Sequence, residues 1–383
     1  MMKRKIRMGM VGGGQDAFIG AVHRMAAVLD GEIELVCGAF SSSEVKSKAS
    51  GAELYLSPDR AYASFEEMIS KEKSLPEDVR MDFVSIVTPN FLHVKQAMLA
   101  LENGFHVLCE KPLALSSSEA LTLRDKVKQS GLLFGLMHNY TGYPMVKEAK
   151  AIVNSGKLGP IRKVIAEYVQ GWLASRIEES GQKQADWRTD PDKAGISCCV
   201  GDIGTHAENL AEYITGLKIS ELSADVSTFV KGRMLDDDAS VLLRFDNGAK
   251  GVLFSSQIAI GEENELKIRV YGEKGSIEWL QSEPNSLLVK MAGEPVQIYR
   301  TGVDKGYLSK AALSGTRLPG GHPEGYIESL ANIYKEFARA IKVNQEDGYE
   351  EFDFPDIEDG VRGMRFIEAV IESGHKNAQW VKL

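Results

Sequence analysis

Cysteine is scarce in this chain and spaced for little besides packing. Cys37, Cys109, Cys198 and Cys199 form no C-x-x-C pair, and no histidine is placed to complete a zinc motif. That argues against a disulfide-stapled secreted scaffold and a structural metal site, and it fits a reducing, cytoplasmic compartment. Nothing near the vicinal pair Cys198-Cys199 suggests an activated thiolate, so both read as small packing residues. Long apolar runs are missing too, so no segment is expected to cross a bilayer. The basic start Lys3-Arg4-Lys5 resembles the beginning of an export signal, but the apolar stretch behind it lasts only from Met8 to Val11 before three glycines. Positive charge is not in surplus either. The chain has 54 acidic and 45 basic residues, a formal net charge of -9, and no lysine/arginine run, which argues against nucleic-acid or anionic-membrane partners.

What remains is an ordinary globular composition, 43% apolar and 26% charged, in 383 residues. A chain of that length exceeds what one hydrophobic core usually serves, so two domains are expected. The first third alternates short β-rich runs with helical patterns, as in a parallel sheet with crossover helices. Strands are expected at Ile6 to Val11, Ile33 to Phe40, Asp82 to Thr88, His106 to Cys109 and Leu133 to His138. Helices are expected from about Gly20 to Leu29, Leu92 to Asn103 and Ser116 to Ser130, with helical or turn material through Ser64-Phe65-Glu66-Glu67. Gly104 and Gly131 sit where helix C-caps belong. The economical assignment is an α/β, doubly wound Rossmann domain over residues 1-138.

Beyond Asn139 the texture changes. A helix from Pro144 to Ser155 is followed by alternating segments at 161-172, 219-230, 239-246, 249-259, 265-272 and 275-280. These predict an α+β domain over 139-383 with a large, mostly antiparallel open sheet. Asp246-Asn247-Gly248 and Gly272-Glu273-Lys274-Gly275 supply hairpin chemistry through residues that accept positive φ. Helices are expected near 203-215, 325-343 and 355-373, and long loops at 174-195 and 302-324, where functional residues often gather.

The segment VGGGQDAFIGAVH follows a predicted strand and opens a helix, the setting in which backbone amides and a helix N-terminus meet a pyrophosphate. Gly12, Gly13 and Gly14 allow close approach, and Phe18 and Ile19 open the helix beyond. The usual third glycine would stand at position 17, which is Ala17; Gly20 arrives three positions late, so the turn reads as enlarged. Three glycines after a strand also suit a plain tight connection. About twenty residues on, where an Asp or Glu would bind a ribose 2'-hydroxyl, stand Phe40 and Ser41-Ser42-Ser43. No carboxylate there repels a 2'-phosphate and no arginine clamps one, so NAD is preferred over NADP only weakly.

VTPNFLHV (Val87 to Val94), HVLCEKPLA (His106 to Ala114), GDIGTHAENL (Gly201 to Leu210) and GGHPEGYIESLANIYKEF (Gly320 to Phe337) together resemble the glucose-fructose oxidoreductase / inositol dehydrogenase / rhizopine-catabolism (Gfo/Idh/MocA) family. The resemblance covers essentially the whole chain, and its last segment looks like a sugar-oxidising subgroup. It implies that Lys111 is the catalytic acid/base, with Glu110 organising the lysine or the cofactor. It further implies that Asp202 binds substrate hydroxyls and that His206 is an acid/base or hydrogen-bond partner. Thr88, Pro89, Asn90 and His93 resemble the family's second cofactor-contacting loop.

The residues carry a reading of their own. Hydride removal from an alcohol leaves a carbonyl, so the hydroxyl proton needs a base, and the reverse reaction needs an acid. A lysine serves near neutrality once burial or a neighbouring positive charge lowers its proton affinity. Lys111 stands past the C-terminal edge of a buried parallel strand, where open α/β sheets place ligands; the bland alternative is a surface Lys-Pro turn. Asp202 and His206, four apart, share a helix face; Asp202 also suits an N-cap, and His206 a satisfied core histidine. Asn90 equally suits a helix cap. Trp187 and Arg188 lie in the first long loop and would cover the nicotinamide and hold a substrate oxygen, unless they are exposed loop decoration. Tyr140 and His322 would add polar groups to the pocket. With no third ligand beside Asp202 and His206, no metal is expected.

The expected activity is NAD(P)-dependent oxidation of a secondary hydroxyl of a sugar, glycoside or cyclitol, or reduction of the corresponding ketone, by a homodimer or homotetramer. Two alternatives stay open: a lyase or glycoside hydrolase that oxidises its sugar transiently with tightly held NAD, and a non-catalytic NAD(P)H-binding sensor.

Overall fold

The computed structural model describes residues 4-15, 17-344 and 352-383; Lys3 of the basic start lies outside the described residues. The chain divides into two compact units. The first comprises Met1–Ala114, Ser118–Asn139 and Tyr326–Val361; the second comprises Leu115–Ser117, Tyr140–Gly325 and Arg362–Leu383.

In chain order the first unit contains β1 (Ile6–Gly12), α1 (Phe18–Val28), β2 (Ile33–Ala39), α2 (Glu44–Glu53), α3 (Phe65–Ser74), β3 (Phe83–Val87), α4 (His93–Glu102), β4 (His106–Cys109), α5 (Ser117–Ser130) and β5 (Phe134–Leu136). The five strands are parallel in the order β2-β1-β3-β4-β5, with β1 between strands reached in opposite directions. That reversal places a ligand crevice at the carboxyl ends of β1 and β3. Both faces of the sheet are covered, so every residue of β3 and β4 is buried, the polar Ser85 and His106 included. The start of α3 is written in its side chains: Ser64 accepts the Glu67 N–H while the Glu67 carboxylate accepts the Ala63 N–H.

The second unit continues with α6 (Pro144–Asn154), β6 (Ile161–Val169), α7 (Lys183–Arg188), α8 (Pro191–Ala194), α9 (Thr205–Thr215), β7 (Ile219–Ser227), β8 (Asp238–Phe245), β9 (Lys250–Ser256), β10 (Glu265–Gly272), β11 (Gly275–Leu280), β12 (Ser286–Met291), β13 (Gln297–Arg300) and α10 (Lys310–Ser314). Then come α11 (Tyr326–Asn344), α12 (Ile357–His375) and β14 (Val381–Lys382). One nine-stranded sheet runs β13-β12-β11-β10-β6-β9-β8-β7-β14. Every pairing in it is antiparallel except β6 with β9. The alternation read in the sequence is the burial alternation of β6, β8 and β9.

The structure departs from the sequence reading in five places. Strands β12, β13 and β14 were not expected; β13 and β14 are short and form the two edges of the sheet, and β12 lies between β11 and β13. The loop expected over 174-195 holds α7 and α8, capped by Gln182 and Asp190, and α10 interrupts the loop expected over 302-324. The hairpin glycines divide by cause: Gly248 has φ +86°, whereas Gly272 and Gly275 are needed for space. A Cβ on Gly272 would stand 2.2 Å from the Leu158 carbonyl oxygen. The helix expected from 203 is entered through one wide π turn, Val200–Gly204. Finally, a split at 138/139 assigns α11 to the second domain, but Tyr326–Val361 belongs to the first unit. Periodicity tells that α11 has an apolar face, not which core that face covers.

Among the described residues no helix is long and apolar enough to cross a membrane.

Candidate active site

In the first unit the turn between β1 and α1 is closed by backbone contacts that admit only glycine. Gly12 and Gly13 take φ of +81° and +68°. A Cβ on Gly14 would stand 2.7 Å from the Phe40 carbonyl oxygen, and one on Gly20 would stand 2.3 Å from the Gly13 Cα. Gly20 therefore performs the helix-to-strand packing expected of a third glycine, from one turn inside the helix. At the N-cap of α1 stands Ala17, with no side-chain cap and no acidic residue in the first turn. A Gly-lined cradle and uncapped helix amides fit a pyrophosphate. Phe18 is 71% exposed, at the mouth of the turn, while Ile19 packs against the core and Arg24 Nη1 donates to the Gly13 carbonyl at 2.6 Å.

The Phe40 ring is buried under Gly38, so the position that often carries a ribose-binding carboxylate is a core residue. Ser41 follows it, its hydroxyl accepting the Ser43 N–H at 3.2 Å.

The loop after β3 carries Thr88, Pro89 and Asn90. Thr88 donates to Gln96 at 2.7 Å. Asn90 is buried but does not cap α4, whose N-cap position is Leu92 without a side-chain bond. His93 is buried too, with Nδ1 2.8 Å from the Pro112 carbonyl oxygen and Nε2 2.8 Å from that of Thr88. Its ring ties the loop after β3 to the loop after β4.

Lys111 stands after β4, next to a cis Lys111-Pro112 bond. The Glu110 side chain folds back so that Oε2 accepts the Lys111 backbone N–H at 3.1 Å, and Oε1 lies 2.7 Å from His23 Nε2. Burial raises Glu110, but the His23 hydrogen bond and the charges of His23, Lys111 and His93 together outweigh it and hold the carboxyl below its ordinary range. His138, at the end of β5, is pushed down to about 3 by burial and by the Lys111 charge, so it is a neutral imidazole at any physiological pH.

In the second unit the wide turn aims Asp202 away from a capping role. Asp202 donates its own N–H to the Cys198 carbonyl at 2.8 Å, as an interior helical residue does. Its carboxylate pairs with Arg188 Nε at 3.2 Å and accepts from Gln257 Nε2 at 2.9 Å. Such wide turns recur where a side chain must be re-aimed at a functional site. Arg188 is itself held: it donates to Gln184 Oε1 at 2.6 Å and stacks on Trp187 at 4.2 Å, with Trp172 beyond at 6.0 Å. His206 is buried against the ring of Tyr140, edge to face at 4.9 Å. The Tyr140 and Tyr168 hydroxyls are 2.6 Å apart, and both meet Asn264, which also accepts from Gln170.

Asp202, Arg188 and Trp187 thus form one cluster, and His206 and Tyr140 another. His322 joins neither: it is exposed, with Nδ1 donating to the Pro319 carbonyl of its own loop. Tyr168 in β6, and Gln257 and Asn264 next to the ends of β9 and β10, escaped the sequence reading because single polar residues in or beside alternating strands look like solvent-facing positions. Cys198 and Cys199 are buried free thiols, pushed well up by burial, and Cys198 donates to Gln257. Among the described residues no cluster of three or more potential ligands is placed to hold a metal.

Residues 6–138 match the family model described as "Oxidoreductase family, NAD-binding Rossmann fold", and residues 146–278 match "GFO/IDH/MocA C-terminal domain". The uncharacterized oxidoreductase YfiI of Bacillus subtilis is 34% identical over 388 residues, covering 100% of this chain and 98% of its own. Levoglucosan dehydrogenase of Pseudarthrobacter phenanthrenivorans is 28% identical over 407 residues, covering 99% of this chain and 98% of its own. Among solved structures, an inositol dehydrogenase homolog from Azotobacter vinelandii complexed with NADH and myo-inositol superposes with a TM-score of 0.93 at 35% identity, covering 100% of this chain and 98% of that one.

Proposed function

Because the chain belongs to the Gfo/Idh/MocA family of NAD-binding oxidoreductases, we propose that it oxidises a secondary hydroxyl of a sugar, glycoside or cyclitol, or reduces the corresponding ketone. The reading of the substrate rests on the full-length likeness to relatives that act on levoglucosan and hold myo-inositol beside NADH. The second unit supplies the matching chemistry: a fixed carboxylate, an imidazole and a set of tyrosine and amide groups, which suit a ligand with many hydroxyls and no net charge.

NAD or NADP, held here, would supply the hydride acceptor or donor. The chain's own residues do the rest. The Gly12–Gly14 turn and the α1 amides would hold its pyrophosphate. Lys111 Nζ takes the hydroxyl proton as the C–H bond breaks, and in reduction returns it to the developing alkoxide. Asp202, aimed by Arg188 and Gln257, accepts from substrate hydroxyls. His206, backed by Tyr140, gives a hydrogen bond to a substrate hydroxyl.

Lys111→Ala tests the reading. A panel of polyols and glycosides with NAD and NADP separately, followed at 340 nm, identifies the substrate and cofactor. On that pair the variant is expected to lose at least about 100-fold in kcat while binding NADH with nearly unchanged affinity. Wild-type turnover by Lys111→Ala contradicts the assignment, and product without accumulated NADH points to transient oxidation instead.

A further inference from the structure

We propose that His23 and Tyr334 are positioning residues of this reaction, fixing through Glu110 the backbone that carries Lys111. Neither residue stands near Lys111 in sequence. His23 lies on α1, one turn past Gly20, and Tyr334 lies on α11. His23 Nε2 is 2.7 Å from Glu110 Oε1, His23 Nδ1 is 2.7 Å from the Tyr334 hydroxyl, and that hydroxyl is 2.7 Å from Ser85 Oγ on β3. At the other end Glu110 Oε2 accepts the Lys111 N–H.

The chain of bonds has a direction. With Glu110 held as a carboxylate, Nε2 must donate to it, since the reverse would set two lone pairs face to face. On the other side of the ring Nδ1 pairs with the Tyr334 hydroxyl, and that hydroxyl pairs with Ser85 Oγ. Every donor finds an acceptor, and the carboxylate is left with one oxygen on the imidazole and the other on the Lys111 amide. Its two lobes are fixed independently, so the side chain cannot rotate without breaking a bond at each end.

The chain is a brace and not a proton path. Ser85 is 0% exposed, and His23 and Tyr334 are each 1% exposed, so a proton passed inward from Glu110 would stop in the core. Polar groups so deep among Phe83 and Phe337 are costly unless fully satisfied, and a simple apolar core would fill the space with less risk. What the brace achieves is a link between four elements: the helix opened by the dinucleotide turn, β3, the end of the strand before the lysine, and α11. A positional error of about 1 Å at a reacting group costs about 100-fold in rate, which is the scale on which such a brace acts.

Because this inference rests on Lys111 as the acid/base, Lys111→Ala is run alongside as a separate control. The test is a double-mutant cycle of His23→Gln and Glu110→Gln, with kcat and KM measured on the polyol and dinucleotide found in the panel, and with NADH titration and thermal midpoint as checks on folding. Each single variant is expected to lower kcat by about 10- to 100-fold with little change in KM or NADH affinity. The double variant should be no slower than the slower single, because one brace can be broken only once. If His23→Gln does not fold, Tyr334→Phe, which loses one hydroxyl, takes its place in the cycle. Additive losses, or an unchanged kcat in a folded variant, overturn the proposal. If Lys111→Ala turns over normally, the acid/base reading fails whatever the cycle gives; if it is inactive and the cycle is additive, the brace alone fails.

Discussion

His93, His106 and His138 are buried in the first unit, and burial pushes all three imidazoles down, His106 to about 4 and His138 to about 3. His106 has a structural reason: its Nδ1 accepts the Leu133 N–H at 2.9 Å at the start of β5, a bond that leaves Nε2 to carry the proton. In the unfolded chain it titrates near 6.5. A folded value below the unfolded one means that the unfolded state binds the extra proton, so stability is complete above about 6.5 and falls as pH drops towards 4. Each such histidine steepens the fall by up to about 1.4 kcal/mol per pH unit. His106→Gln keeps an acceptor for Leu133 but removes the titration. Its urea midpoints between those two pH values should therefore fall less steeply than those of the wild type, and equal slopes would refute the assignment of acid sensitivity to this residue.

Among the elements, α1 depends most on a single contact. Gly13 and Gly20 touch backbone to backbone, and a Cβ on Gly20 would stand 2.4 Å from the Gly13 oxygen as well as 2.3 Å from its Cα. Neither neighbour is a flexible side chain, so Gly20→Ala must push α1 away from the turn. The expected cost is about 1–3 kcal/mol of stability together with a weakened grip on NADH; Gly306→Ala, where nothing lies within 4 Å of the added carbon, should change neither. Fluorescence titration with NADH compares the two, and equal affinities would show that the contact does not shape the cradle. The sequence announced this turn through its three glycines, but the late Gly20 was legible only as a departure from the usual spacing. The same limit runs through the site. Lys111, Asp202 and His206 stood out because short motifs surround them, whereas His23, Tyr334, Gln257 and Asn264 act through partners far off in sequence. His23 is 87 residues from Glu110, and 311 residues from Tyr334. No local pattern encodes such a pairing.

At the scale of the whole molecule, the return of the chain to its first unit decides what can fold alone. The five parallel strands and their crossovers were readable from alternating patterns, and so was the existence of α11; its destination was not. Leu330, Ala331, Ile333, Tyr334, Phe337, Ala338 and Ile341 of α11 join one buried cluster with Ile6, Met8 and Met10 of β1 and Phe83 of β3. Burying a large apolar side chain contributes roughly 1.5–3 kcal/mol, so α11 supplies on the order of 10 kcal/mol, comparable with the net stability of about 5–15 kcal/mol of an ordinary domain. Residues 1-138 hold all five parallel strands and the dinucleotide turn, yet they lack that face. Produced alone, this fragment is expected to bind hydrophobic dye and fail to enhance NADH fluorescence. Joined through a flexible linker to residues 326-361, it should recover a cooperative thermal transition and NADH binding. A fragment 1-138 that folds cooperatively without the added segment would mean that α11 decorates the first unit instead of completing it, and the brace through Tyr334 would then be dispensable for the cradle as well.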